Sequence, residues 1–168
     1  MAGEIKKAVA EMERMPIMRL PRIQVVGGGE IRFKRLRDGA ILPSRARPGD
    51  AGLDLHYLPG GDGPGFGTGL AVEIPDGFVG FVCPRSGLAA KGAGIANAPG
   101  VVDSGYRGEI RVLLYGLQNW AGGFLSEIKP GDRIVQLVIV SAPQFQPVWA
   151  EELSGTARGE GGFGSSGK

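Results

Sequence analysis

The sequence predicts an all-β domain, a sandwich or a barrel. Three observations lead there. Short runs rich in Val, Ile, Leu and Phe recur along the chain, with Gly/Pro turns between them at near-regular spacing. No long helical periodicity follows residue 30, which argues against βαβ units. Glycine and proline number 31 and 12, yet 42% of residues are hydrophobic, so the glycines read as turns of an ordered β protein. A length of 168 residues suits one domain with a core large enough to fold unaided.

Residues 1–29 stand apart from this pattern. Ile5, Val9 and Met12 recur at four- and three-residue spacing among charges, which predicts a short amphipathic helix ending near Pro16. It reads as an appended helix on a neighbour, or as a tail. Gly27, Gly28 and Gly29 then form a flexible joint. The β domain is expected over residues 30–157, followed by a Gly-rich tail at 158–168.

IRFKRL (31–36) is the first expected strand, charged on one face as an edge strand would be. In RARPGDAGLDL (45–55), Gly49 and Gly52 permit a bend, and alternation turns Leu53 and Leu55 inward and Asp54 the other way. PGGDGPGFGTG (59–69) has no apolar period and is expected to be an exposed, mobile loop. LAVEIP (70–75) and FVGFVC (78–83) are strands joined by a Pro-Asp-Gly turn. EIRVLLYGL (109–117) reads as one central strand. SEIKPGDRIVQLVIV (126–140) reads as a short strand, a Pro-Gly turn and a long buried strand. FQPVWAEEL (145–153) is a last edge strand, where Pro147 is tolerated.

Composition removes several function classes. Net charge is +2, with no basic stripe interleaved with aromatics, so no nucleic-acid partner is expected. No apolar run approaches membrane-spanning length and no signal-like segment opens the chain, so a cytoplasmic protein with no membrane partner is expected. The single cysteine, Cys83, sits in a hydrophobic run and has no intrachain disulfide partner. With only one histidine, His56, a clustered His/Cys zinc site is excluded and a Ser-His-Asp or Cys-His hydrolase is disfavoured. Any metal would be a hard cation on oxygens, such as Mg²⁺.

Chemistry-bearing residues concentrate in 84–109. A Pro-Arg-Ser-Gly turn opens this stretch and a Gly-rich hairpin signal follows at 97–103. Asp103 then stands three residues before Tyr106 and four before Arg107. Strand-like sequence flanks both sides, the usual frame for a binding or catalytic loop. The tail RGEGGFGSSGK matches a dinucleotide-type glycine pattern from Gly162 to Gly167, but no helix follows to aim its N-terminus at phosphate. Phe163 could instead stack on a base while Arg158, Ser165 and Ser166 close over phosphate. Composition alone reads equally well as a disordered tail.

Five stretches, AGLDL (51–55), PRSG (84–87), GVVDSGYRGE (100–109), GDRIVQL (131–137) and RGEGGFGSSG (158–167), resemble in sequence and order the trimeric deoxyuridine triphosphatases, the dUTPases. The resemblance implies a jelly-roll-like β-sandwich, assembled as a homotrimer whose active sites are shared between subunits. It implies hydrolysis of dUTP to dUMP and pyrophosphate, which limits uracil in DNA. Asp103 is then the base for the attacking water. Asp54 would hold Mg²⁺ through water, and Gln136 would order the phosphate and metal-water network. Arg85, Ser86 and Gly87 would contact phosphates. Asn97 and the backbone of Val101 and Val102 would read the uracil edge, with Tyr106 under the deoxyribose. Arg158, Gly164, Ser165 and Ser166 would clamp the terminal phosphate, with Phe163 over the base. Arg111 matches a position that is basic in many bacterial relatives and is carried over as a further substrate-binding residue. One departure is that residues 91–97 are a residue shorter than in most bacterial relatives.

Several residues read as structural. Asp132 is a turn carboxylate, and Arg107 and Arg133 are ion-pair residues. Tyr115, Trp120 and Trp149 are assigned to core or subunit packing. His56 is placed near a subunit interface, with no catalytic role. Two other functions stay open: a dCTP deaminase-like enzyme of the same fold, and a non-catalytic interaction protein.

Overall fold

Ten short strands carry the fold in a computed structural model that describes residues 29–116 and 124–161. They are β1 Arg32–Arg35, β2 Leu53–His56, β3 Phe66–Gly67, β4 Leu70–Glu73, β5 Phe78–Pro84, β6 Ala93–Ile95, β7 Gly100–Val102, β8 Arg111–Val112, β9 Leu114–Gly116 and β10 Arg133–Ser141. One four-residue helix, α1 (Ser86–Ala89), follows β5, and a 3₁₀ turn spans Phe124–Glu127. The chain divides into two units, Met1–Glu30 and Ile31–Lys168. The helix expected over residues 1–15 lies outside the described residues.

A four-stranded sheet in the order β2-β10-β5-β7 is the main frame, and β1–β4, β3–β8 and β6–β9 form antiparallel pairs beside it. Strand alternation sends one face of each element into a common core. Leu55, Ile74, Val112, Ile134, Val135 and Leu137 are almost wholly buried, and Leu70, Val72, Val82, Ile95 and Val102 pack with them. Each fully buried side chain of this kind contributes roughly 1.5–3 kcal/mol. The all-β expectation is therefore the fold found. Among the described residues no helix is long and apolar enough to cross a membrane.

Several elements differ from expectation, each for a physical reason. EIRVLLYGL is not one strand. It breaks at the exposed Leu113, because residues before it pair with β3 and residues after it with β6. The arms of the expected hairpin at 97–103 also separate. β6 pairs with β9 and β7 with β5, so residues 96–99, with a cis Ala98–Pro99 bond, link two sheets. The short strand expected near 126 is replaced by the 3₁₀ turn. The loop at 59–69 is exposed over most of its length, but it contains β3 and is tied down by the charged cluster described below. FQPVWAEEL forms no strand, because no described strand of its own chain lies beside it. Phe145, Val148, Trp149 and Leu153 are 84–104% exposed there. Trp149 therefore lies outside the core, as does the half-exposed Tyr115, and Trp120 is outside the described residues.

Candidate active site

A cavity of about 300 Å³ opens where β7, the β6–β7 link and the 106–113 segment meet. Val82, Ile95, Val102, Ile110 and Val112 give it an apolar floor, and Asn97, Tyr106 and the backbone of Gly100 and Val101 add polar groups. Such an apolar pocket with few polar groups suits a planar ring whose edge must be read by hydrogen bonds. Asn97 thus reaches the cavity despite the shortened segment before it. The Tyr106 hydroxyl donates to the Glu109 carbonyl at 3.0 Å. Its ring lies so close to Gly108 that a Cβ there would collide with it. Arg107 closes the turn by donating to the carbonyls of Ser104 and Tyr106 at 2.6 and 2.9 Å, and it faces Glu73 at 3.7 Å.

Asp103 follows β7 directly. Its carboxylate is exposed and has no hydrogen bond or ion pair among the described residues, although its carbonyl accepts from the Tyr106 amide at 3.1 Å. It is next in sequence to Val102, which lines the cavity, and a carboxylate without a partner can accept a proton from water.

A second polar cluster gathers Asp54, Arg85, Arg133 and Gln136. Asp54 is only 8% exposed, and its two oxygens accept from Arg85 Nε at 2.8 Å and Arg133 Nη1 at 3.1 Å. Gln136 is the register partner of Asp54 and donates to the Pro84 carbonyl at 3.0 Å. Gly52 makes room for it, since a Cβ there would run into the Gln136 side chain. Ser86 and Gly87 lie exposed at the start of α1. Among the described residues no set of three His, Cys, Asp or Glu side chains could enclose a metal. Burial pushes the His56 imidazole down, against the pull of Asp54, and its Nδ1 is buried without a partner among the described residues. Asp132 accepts from the Lys129 amide at 2.8 Å, as a turn carboxylate.

These two groups lie at opposite ends of one strand. Gln136 is level with Cys83 near the end of β5, whereas β7 runs back along β5 from Val82 to Gly80 and delivers Asp103 beside Val79. At about 3.3 Å per residue, Asp103 and Arg85 are separated along the strand by roughly 20 Å. One chain does not bring them together.

Arg111 requires a correction. It lines the cavity, but its guanidinium donates to the carbonyls of Pro64 (2.9 Å), Gly60 (3.1 Å) and Gly65 (2.9 Å) and to Glu109 Oε2 at 2.8 Å. It commits most of its N–H groups to strapping the 60–65 loop and to Glu109. Arg158 is exposed and donates to the Gly161 carbonyl at 2.7 Å. Phe163, Gly164, Ser165 and Ser166 lie outside the described residues.

Sequence reasoning missed one group, the ion cluster of Arg37, Glu109 and Arg111. The available signal was a carboxylate one residue before the apolar alternation of Ile110 and Val112. Burial pushes the Glu109 carboxyl up. Hydrogen bonds from Arg37, the Gly69 amide and Arg111, with the charge of Arg37, outweigh it and bring the group down to about 2. A carboxyl depressed below its ordinary range stabilises the fold above that range and loses the contribution as pH falls. The thermal midpoint of wild type should therefore exceed that of Glu109→Gln at pH 6, with the gap narrowing from about pH 4.5 down towards 2. Thermal melts across that range check this, and a pH-independent gap would contradict it.

A family model described as dUTPase matches residues 38–167. A deoxyuridine 5'-triphosphate nucleotidohydrolase of Rhodococcus erythropolis is 48% identical over 145 residues, covering 82% of this chain and 85% of that protein. The enzyme of the same name from Gloeobacter violaceus is 45% identical, covering 82% and 96%. Among solved structures, a Staphylococcus bacteriophage 80alpha dUTPase mutant with dUpNHpp superposes with a TM-score of 0.70 at 28% identity, covering 84% of this chain and all of that one. A phage phi11 dUTPase mutant, described with a structural Mg(II) ion, gives a TM-score of 0.59 at 26% identity, covering 74% and 98%.

Proposed function

The chain belongs to the dUTPase family and is a dUTP diphosphatase, and from that premise we propose how its residues divide the work. The observation that carries the proposal is the cavity itself, an apolar slot edged by Asn97 and the β7 backbone, with β7 leading straight into Asp103, whose carboxylate has no partner among the described residues. Uracil enters the slot, read by Asn97 and the main chain of Val101 and Val102. Backbone donors and acceptors at fixed positions mismatch the edge of cytosine. Tyr106, pinned through its hydroxyl, carries the deoxyribose and leaves no room for a 2'-hydroxyl. Asp103 takes the proton from a water that attacks the α-phosphorus. The bond to the pyrophosphate oxygen breaks, and pyrophosphate leaves.

Arg85, Ser86 and Gly87 face the phosphates, and Gln136 orders the waters among them. Mg²⁺ carried on the triphosphate would supply charge neutralisation, with Asp54 holding its waters. The Arg133 and Arg85 contacts fix the orientation of the Asp54 carboxylate for that task. Arg158, Ser165 and Ser166 close on the terminal phosphate, and Phe163 covers the base.

The roughly 20 Å between Asp103 and Arg85 along β5 supports a site shared between copies, because both must reach one triphosphate. The exposed apolar segment with Phe145, Val148 and Trp149 supports assembly as well, since such surface is normally covered. A homotrimer satisfies both. Pyrophosphate release measured over dUTP, dCTP, dTTP and UTP tests the reading. Turnover of dUTP at least about 100-fold above the others is expected. Ammonia release from dCTP, or no turnover of any of the four, would contradict it.

A further inference from the structure

We propose that Glu109 is a positioning residue for the nucleoside: it fastens two separate parts of the cavity lining, the Pro64 loop and the Tyr106 ring, to one buried anchor. The inference rests on the dUTP reading of that cavity. The Glu109 carboxylate is gripped from several directions. Oε1 accepts from Arg37 Nη2 at 2.8 Å, the Thr68 amide at 3.0 Å and the Gly69 amide at 2.7 Å. Oε2 accepts from Arg37 Nη1 at 3.0 Å and Arg111 Nη1 at 2.8 Å. Glu109 is itself among the residues lining the cavity, but with these donors in place its carboxylate is committed to neighbours of its own chain.

Two routes lead from this anchor to the cavity. One runs through Arg111, whose guanidinium also holds the carbonyls of Gly60, Pro64 and Gly65; Pro64 lines the cavity. The other is indirect: the Glu109 main-chain carbonyl accepts the Tyr106 hydroxyl, a contact that Glu109→Gln keeps but that shifts with the backbone once the side chain loses its hold. The loop is shaped to admit the cluster. At Gly67 a Cβ would come within 2.6 Å of Glu109 Oε1 and 3.0 Å of both Arg111 Nη1 and Arg37 Nη2. A Cβ at Gly61 would likewise strike the same three side chains.

The electrostatics make Glu109 the keystone. Arg37 and Arg111 each place a guanidinium nitrogen on Oε2. Without the negative charge, two like charges face each other in a partly buried site and push the strapped loop away. A pocket that rejects a 2'-hydroxyl by close fit loses that ability when its lining moves by about 1 Å. Glu109 contacts neither the reacting phosphorus nor the water in this reading. Its loss should therefore appear in KM and in sugar discrimination before it appears in kcat.

The test is steady-state pyrophosphate release by the full chain with dUTP and with UTP, for wild type, Glu109→Gln and Arg37→Lys. Arg37 lines no part of the cavity. Its replacement by lysine keeps the charge but loses the two-pronged contact. Glu109→Gln should raise KM for dUTP about tenfold, keep kcat within about threefold and lower the dUTP-over-UTP preference in kcat/KM about tenfold. Arg37→Lys should move KM and preference in the same direction by roughly threefold. Unchanged KM and preference in folded Glu109→Gln would overturn the proposal, as would a fall in kcat equal for both nucleotides. If Glu109→Gln does not fold, Arg37→Lys decides alone by the same criteria. A wild-type chain that releases no pyrophosphate from dUTP sinks the reading of the cavity, an outcome distinct from active wild type with insensitive variants.

Discussion

Asp103→Asn is expected to lower kcat for dUTP by roughly 10²–10⁴-fold and to leave KM within about threefold. The amide keeps the size and shape of the side chain but cannot accept the proton from water. Two structural features make the loss this specific. The Asp103 carboxylate has no partner among the described residues, so its replacement breaks no ion pair and leaves no orphaned cation. The turn beyond it is closed by the Tyr106 amide on the Asp103 carbonyl and by the Arg107 contacts, which the substitution does not touch. The cavity should therefore still accept nucleotide. Steady-state pyrophosphate release gives kcat, and titration with a non-cleavable dUTP analogue gives binding. Turnover within threefold of wild type would remove Asp103 from its role as base.

Deletion of residues 158–168 should reduce kcat/KM for dUTP by at least about 100-fold without changing the oligomeric state or thermal midpoint. The reduction follows from the loss of Arg158 and the serine-rich tail with Phe163, assigned to the phosphates and base. The unchanged stability follows from geometry. Residues 158–160 are exposed, and their described hydrogen bonds are local ones, from the Arg158 side chain to Gly161 and from the Gly159 amide to Thr156. None belongs to the core. Light scattering and activity on the same preparation separate the two effects. Full activity in the truncated chain, or its dissociation, would contradict the assignment.

Much of this was legible because the relevant signals are local. The apolar runs LAVEIP, FVGFVC and RIVQLVIV between turn signals marked β4, β5 and β10 nearly to the residue, since those strands bury one or both faces in the core. The positions of Asn97, Val101, Val102 and Tyr106 around one cavity follow from a stretch short enough to read as a unit. What stayed hidden depends on partners distant in sequence. The break of 109–117 into β8 and β9 is decided by strands at 66–67 and 93–95. The 59–69 loop looked mobile because glycine and proline dominate it, yet those glycines make room for a cluster drawn from Arg37, Glu109 and Arg111. Arg111 was counted among the substrate-binding residues by position, and only the fold shows its guanidinium turned onto loop carbonyls. The expected strand at 145–153 has no strand beside it among the described residues.

The placement of Asp103 at one end of β5 and the arginine turn at the other has a genetic corollary. In the homotrimer proposed above, each reaction centre forms at a seam, with its halves from different polypeptides. Two defective alleles, one lacking the carboxylate and one lacking the arginine, therefore need not be dead together. Wherever such chains meet in the right order, an intact seam is rebuilt from the sound half of each.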